Sequence, residues 1–272
     1  MRIAVLADIH GNATAFEAVL NALPSLGVDR VVILGDVVTG APDSLTCWEL
    51  AQSLKCPMVR GNHEAYVSEF GTADHDPEWD GDRFGPLRWT VNQLSAIDIQ
   101  LIRDLPTAYR FSDFPELLFV HASLRSDRDT VLAYTPVAEV ASMFPDVAAK
   151  WILRGHNHVC GARFWEDRVI VTSGSIGLPM DGRTTAQFLV LDKRLDGWQV
   201  QHHAIAYEVE AALARFRATG YLDAAGPMAR LYMREVATAG SVLMSFMSLY
   251  QSWASKEAIS LGAAVDRYFT LC

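Results

Sequence analysis

The chain has 272 residues, half of them apolar and one fifth charged, which is the profile of a globular protein and excludes a fibrous or disordered one. Its formal net charge of -9 argues against binding of nucleic acid duplexes, which needs clustered Lys and Arg to neutralise phosphates. Four cysteines, Cys47, Cys56, Cys160 and Cys272, show no CxxC spacing, so neither a disulfide framework nor a zinc knuckle is indicated and a reducing compartment fits.

Residues 2–7 form a continuous apolar run after Arg2, the pattern of a strand buried on both faces. The run passes directly to Asp8 with no long apolar region or cleavage site of a signal peptide, so a cytoplasmic protein is expected. A helix follows, with capping-box spacing at Thr14 and Glu17, an apolar face of Phe16, Val19, Leu20 and Leu23, and closure at Pro24 and Gly27. The unit then repeats as a strand over Val31–Leu34, Gly35-Asp36 at its end, and a helix from about Asp43 to Leu54. Pro57-Met58-Val59 reads as a third buried strand leading into Arg60-Gly61-Asn62-His63-Glu64.

Residues 64–88 hold seven acidic residues and read as an irregular loop or lid, too polar for core. Helical spacing returns over 87–104 and ends at Pro106. Leu117–Val120 and Trp151–Arg154 are further buried strands, delivering His121 and the pair His156 and His158. Beyond Val159 the texture changes to alternation and tight polar turns, which predicts antiparallel strands over 159–164, 169–172, 186–191 and 198–205. The whole predicts an α/β fold of two packed sheets with helices outside, over a catalytic domain of residues 1–206.

Residues 207–272 are helical and Ala-rich, with breaks at Gly220, Gly226-Pro227 and Gly240. They form a C-terminal extension packed on the core or at an oligomer interface. Residues 236–255 carry no charge, but Ser241, Ser245, Ser248, Ser252 and Ser255 recur on one helix face, a stripe that lets another helix approach. Packing or self-association is therefore expected in preference to a membrane span.

Asp8, His10, Asp36, Asn62, His63, His121, His156 and His158 all fall at predicted carboxyl ends of strands, the edge where α/β sheets bind ligands. Seven O and N donors without a thiolate suit two divalent metal ions of the Mn, Fe, Zn, Ni or Mg kind, with Mn favoured. A natural division gives one ion Asp8, His10 and His158, the other Asn62, His121 and His156, with Asp36 bridging. Such a pair can bind a phosphoryl group and hold a bridging hydroxide for in-line attack. His63 stays free as a general acid for the leaving oxygen.

Five blocks carry a family resemblance: DIHGN at 8–12, GD at 35–36, GNHE at 61–64, VHAS at 120–123 and GHNH at 155–158. In this order the chain resembles the calcineurin-like metallophosphoesterases, and it is similar to their bacterial and archaeal phosphodiesterase-like members as far as about Ile205. The resemblance implies a four-layer αββα sandwich of two mixed sheets, the ligand division above, the role of His63, and hydrolysis of small phosphoesters or nucleotides. Protein phosphatases and symmetrical diadenosine tetraphosphatases extend the second block as GDxxDRG, whereas this chain has GDVVTGA. Thr39 and Gly40 stand where an aspartate supporting the catalytic His and a phosphate-gripping arginine would be, which makes a protein phosphatase less expected and leaves His63 without its usual carboxylate partner; a phosphomonoesterase, including a protein phosphatase, is the alternative within enzymes. Arg60, Arg125 and Arg154 are the candidate phosphate contacts, with Arg125 preferred because a flexible loop follows His121. The expected partner is a small phosphorylated substrate, and a homo-oligomer through the C-terminal helices is possible. A metal-binding scaffold of the same fold is the non-enzyme alternative, which loss of metal ligands would favour, and this chain has lost none.

Overall fold

The computed structural model describes residues 1–271. The chain opens with β1 (Arg2–Leu6), α1 (Ala13–Ala22), β2 (Arg30–Ile33) and α2 (Ser44–Ser53), in which the alternation read from the sequence holds. Asn12, rather than Thr14, caps α1, its side chain accepting from the N–H of Ala15. A 3-10 turn over Leu23–Leu26 and the left-handed Gly27 close that helix.

Pro57-Met58-Val59 makes only a parallel bridge, Ile33 against Met58, and is no strand of its own. It still lies beside β2, through Ile33 N to Pro57 O (3.0 Å) and Val59 N to Ile33 O (2.9 Å). The segment expected to be irregular from residue 64 begins with a helix, α3 (Asn62–Glu69), and its 3-10 turn Pro77–Asp80 buries Trp79 against Tyr66 and Phe84. Asp74, Asp76, Glu78, Asp80 and Asp82 of that segment are exposed, Glu64 is buried, and the aromatics of the segment join the core. The single helix expected over 87–104 is two, α4 (Gly85–Gln93) and α5 (Ala96–Arg103). Ser95 and Asp98 form a capping box inside the apolar period and restart the helix.

The chain continues through β3 (Ala108–Phe111), β4 (Phe114–Val120), α6 (Val137–Met143), β5 (Trp151–Arg154), β6 (Gly161–Trp165), β7 (Arg168–Thr172), β8 (Thr185–Arg194) and β9 (Gly197–Ala206). One sheet has the order β2-β1-β8-β9, with β1 parallel to β2 and antiparallel to β8. The other has the order β3-β4-β5-β7-β6, parallel at its centre and antiparallel at both edges. The two late hairpins therefore end in different sheets. Ile3, Val5 and Leu189 of the first sheet meet Phe119, Leu153 and Val171 of the second in the central core. The outer face of the first sheet is covered by α1 and α2 through Phe16, Val19 and Trp48, and that of the second by α6 through Val140 and Met143. Two mixed sheets flanked by helices is the architecture expected.

The C-terminal helices are α7 (Val209–Ala218), α8 (Tyr221–Ala224), α9 (Pro227–Thr238), α10 (Val242–Ala254) and α11 (Leu261–Leu271). Helix α7 packs on α1, and α9 packs on α4 and the 3-10 turn Asp82–Phe84. Phe246 and Trp253 of α10 pack against Leu231, Leu261 and Val265 of the neighbouring helices. The serine stripe lies on the exposed side of α10, so it is not the face that approaches another helix within the chain. Among the described residues no helix is long and apolar enough to cross a membrane.

Candidate metal centre

All seven predicted ligands converge at the carboxyl ends of the strands. Asp8 and His10 follow β1, Asp36 follows β2, Asn62 opens α3, His121 follows β4, and His156 and His158 follow β5. Ligand atoms of Asp8, His10, Asp36 and His158 lie within 4.8 Å of one another, and so do those of Asp36, His121 and His156. Asp36 is common to both groups. Asn62 Oδ1 joins the second, 3.0 Å from His121 Nε2 and 3.1 Å from His156 Nδ1.

Backbone carbonyls orient three of the imidazoles. His10 Nδ1 is 2.9 Å from Thr39 O, His121 Nδ1 2.8 Å from Leu34 O, and His158 Nδ1 2.7 Å from Leu178 O. A carbonyl oxygen only accepts, so each Nδ1 carries the proton and each Nε2 points into the site. His10 Nε2 and His158 Nε2 then face each other at 3.0 Å. Burial lowers the basicity of both rings, His10 well below its ordinary value and His158 to about 4 although Asp36 opposes it. Two lone pairs thus face each other without a proton between them, an arrangement that a cation relieves. His121 differs: burial acts against its charge, but Asp36, 3.2 Å away, raises it to about 9. There a proton sits in the absence of metal. The donor chemistry and the opposed lone pairs fit two divalent cations sharing Asp36.

Glu64, beyond the predicted ligands, builds the loops that carry them. Its buried carboxylate accepts from the N–H groups of Asp36 (2.6 Å), Val37 (2.7 Å), Val38 (3.3 Å) and Gly61 (2.9 Å), locking the second block to the third. Burial, with help from Asp36, raises its carboxyl to about 7, against the pull of these N–H donors. A Cβ at Gly61 would collide with Asp36, so the close approach requires glycine. The loop after β7 frames the other side: Ser175 Oγ donates to Asp8 O at 2.7 Å, and Gly177 N to the same oxygen at 2.9 Å.

His63 lies beside the cluster and in neither ligand group. Its ring meets His10 edge-on at 4.7 Å and Tyr66 at 5.6 Å, and its backbone N–H donates to Asp36 Oδ1 at 2.9 Å. Its Nδ1 is buried without a hydrogen-bond partner, as the missing aspartate at 39 would leave it. Burial lowers its basicity, partly offset by Asp36. Gly40 and Asp43 are instead bonded to the C-terminal helices. Tyr221 Oη donates to Gly40 O at 2.5 Å, and Arg215 grips Asp43 through three bonds of 2.6 to 3.1 Å.

The arginines divide. Arg154 is fully buried and donates to Ala122 O (2.8 Å) and Asp129 O (2.7 Å), so it holds the loop after β4 and is not a substrate contact. Arg125 lines a cavity of about 290 Å³ next to His121, with Arg60 on the same wall. Its guanidinium is held by Asp129 at 2.6 and 3.0 Å and by Ser142 at 2.8 Å. His202 and His203 lie on β9.

A family model described as calcineurin-like phosphoesterase matches residues 1–160, more than half of the chain and all five blocks. The chain belongs to the calcineurin-like phosphoesterase family. It is a metal-dependent phosphoester hydrolase. A curated relative, an uncharacterized protein of Methanocaldococcus jannaschii, is 23% identical over 228 residues, 77% of this chain and 89% of its own length. A metallophosphoesterase from Sphaerobacter thermophilus superposes with a TM-score of 0.70 at 24% identity, covering 88% of this chain and 99% of that one. A hypothetical protein from Pyrococcus horikoshii gives a TM-score of 0.73 at 20% identity, covering 88% and 98%. Residues 1–206 are about three quarters of the 272, so an 88% match takes in part of the C-terminal helices, for which the sequence had suggested no likeness.

Proposed function

We propose that the protein is a dinuclear phosphodiesterase acting on small phosphoesters or nucleotides. The observation that carries this is the pair of donor groups meeting at Asp36, with His63 beside both and part of neither. Asp8, His10 and His158 would hold one divalent ion and Asn62, His121 and His156 the other, with Asp36 common to both donor groups; Mn²⁺ is the favoured metal. When bound, the ions supply positive charge for the phosphoryl oxygens and an acidified water as nucleophile.

The chain's own residues do the rest. Asp36 is fixed through the Glu64 clamp, and its Oδ1 accepts the His63 N–H, so carboxylate and acid move as one unit. His63 Nδ1 is enclosed, which leaves Nε2 to meet the leaving-group oxygen and give it a proton. The absence of the GDxxDRG pair favours a diester over a phosphoprotein.

Protein loaded with Mn²⁺ should hydrolyse bis-p-nitrophenyl phosphate faster than p-nitrophenyl phosphate. His63→Ala should keep both metals by calorimetric titration and lose roughly 10²- to 10⁴-fold in kcat. Loaded protein inactive on both esters would refute the reading, and full activity in His63→Ala would refute the assignment of the acid.

A further inference from the structure

The phosphate-gripping arginine absent from the second block is replaced, we infer, by Arg128, a residue outside all five blocks that takes the non-bridging oxygens of the substrate phosphoryl group on the His63 side. This rests on the phosphoesterase reading above and names a further positioning residue for it.

Three rings lead outward from the donor cluster. His10 meets His63 at 4.7 Å, His63 meets Tyr66 at 5.6 Å, and the Arg128 guanidinium carbon stands 4.8 Å above the Tyr66 ring. Arg128 therefore ends a row of edge-to-face ring contacts whose other end is a predicted ligand. The cation–π contact with Tyr66 places the guanidinium without using any of its five N–H donors. Its nearest carboxylate, Asp127, is 3.7 Å away and makes no hydrogen bond to it, and the Arg128 side chain is about half exposed.

The other arginines near the blocks are committed or placed elsewhere. Arg154 is spent on backbone carbonyls, Arg125 is forked onto Asp129, and Arg60 lines the cavity beside His121. Arg128 combines a free fork, a rigid mount and proximity to His63. A planar fork suits two oxygens of one phosphoryl group and leaves the third for the metal-ligand cluster.

The test measures binding of inorganic phosphate to the Mn²⁺-loaded protein by calorimetry, for wild type, Arg128→Ala, Arg128→Lys and Tyr66→Leu. Arg128→Ala should weaken phosphate binding by roughly 10- to 100-fold, the range for one charge-assisted contact, with Mn²⁺ affinity unchanged. Arg128→Lys should recover part of the loss, and Tyr66→Leu, which removes the mount but keeps the charge, should fall between. In turnover the Arg128→Ala loss should appear in KM more than in kcat and be larger for a dianionic monoester than for a monoanionic diester. Phosphate binding within twofold of wild type in Arg128→Ala, or no phosphate binding by the loaded wild type, would overturn the inference. Inactivity toward esters with phosphate binding intact would refute the proposed reaction and still leave the role of Arg128 measurable.

Discussion

Replacing Glu64 by Gln tests whether the clamp beneath the metal centre is as tight as its geometry indicates. The amide retains one oxygen for the N–H groups of Val37 and Val38 but presents an NH₂ to those of Asp36 and Gly61, now 2.6 and 2.9 Å from a carboxylate oxygen. Two buried N–H groups then lose their acceptor and face a donor, at about 1–3 kcal/mol each, or roughly 2–6 kcal/mol together. At about 2–4 °C per kcal/mol for a chain of this size, the melting temperature should fall by roughly 4–24 °C. Asp36 stands at φ 51° with its N–H held by this carboxylate, so its release should weaken metal binding by about 10- to 100-fold, the usual effect of losing a residue that supports a ligand. Thermal unfolding of the apo protein and Mn²⁺ titration of the folded one measure the two effects separately. Both are best made at pH 8, above the pKa of about 7 to which burial raises the Glu64 carboxyl. A Glu64→Gln protein that melts within about 1–2 °C of wild type, at unchanged Mn²⁺ affinity, would show that the four contacts carry no such load.

Two further outcomes follow from the same structure. Glu235 of α9 is fully buried, with neither carboxylate oxygen in a hydrogen bond by strict geometry, and burial raises its carboxyl to about 8, partly offset by the first N–H groups of α10. The folded protein therefore keeps this proton between about pH 4.5 and 8 where the unfolded chain has lost it, so stability falls as pH rises through that window. Glu235→Gln should remove the fall and gain a few kcal/mol at pH 9 while changing little at pH 5; parallel melting-temperature profiles for the two proteins would sink this account. Metal removal should also destabilise: a divalent ion at 100 times its dissociation constant contributes about 2.7 kcal/mol per site, so a chelator that strips both sites should lower the melting temperature by roughly 10–20 °C. No change between chelator and Mn²⁺ would argue against a metal centre in the folded chain.

What could be read in advance was whatever is local or periodic. Buried strands announce themselves as apolar runs, and their ends gave Asp8, Asp36, His121, His156 and His158 a common edge before any coordinates. Glu64 could not be read that way, because three of its four partners are backbone N–H groups 26 to 28 residues upstream and backbone carries no sequence signal. Ser95 was hidden inside an apolar period that continues across the break between α4 and α5. The serine stripe was visible, but a stripe does not say which side of a helix is covered, and Phe246 and Trp253 took the buried side. The GDVVTGA departure was legible as a loss, whereas its use was not. The residue bonded to Gly40 is Tyr221, 181 positions away.

The backbone of the site explains why these residue types stand where they do. Five of the seven predicted ligands, Asp8, His10, Asp36, His156 and His158, have φ between 50° and 68°, the left-handed region, and so does Thr39, whose carbonyl orients His10. A non-glycine residue there costs on the order of 1–3 kcal/mol unless its surroundings hold it, and Asp, Asn and His tolerate the region better than most. The surroundings do hold it. His10 N donates to Asp36 O, Gly11 N to Val37 O, and Ala41 N back to His10 O, at 2.7 to 3.0 Å, while His156 N donates to the Asp8 carboxylate at 3.0 and 3.1 Å. Each strand end therefore turns sharply and is tied to its neighbour, which aims short side chains at one point instead of along the strands. Residue types that tolerate the turn are also the types with O and N donors for hard or borderline cations, so one choice at each position meets both the conformational and the chemical requirement. Donors placed by bonded backbone need little rearrangement to receive a metal, and the clamp by Glu64 extends that rigidity to Asp36, the carboxylate shared by both groups.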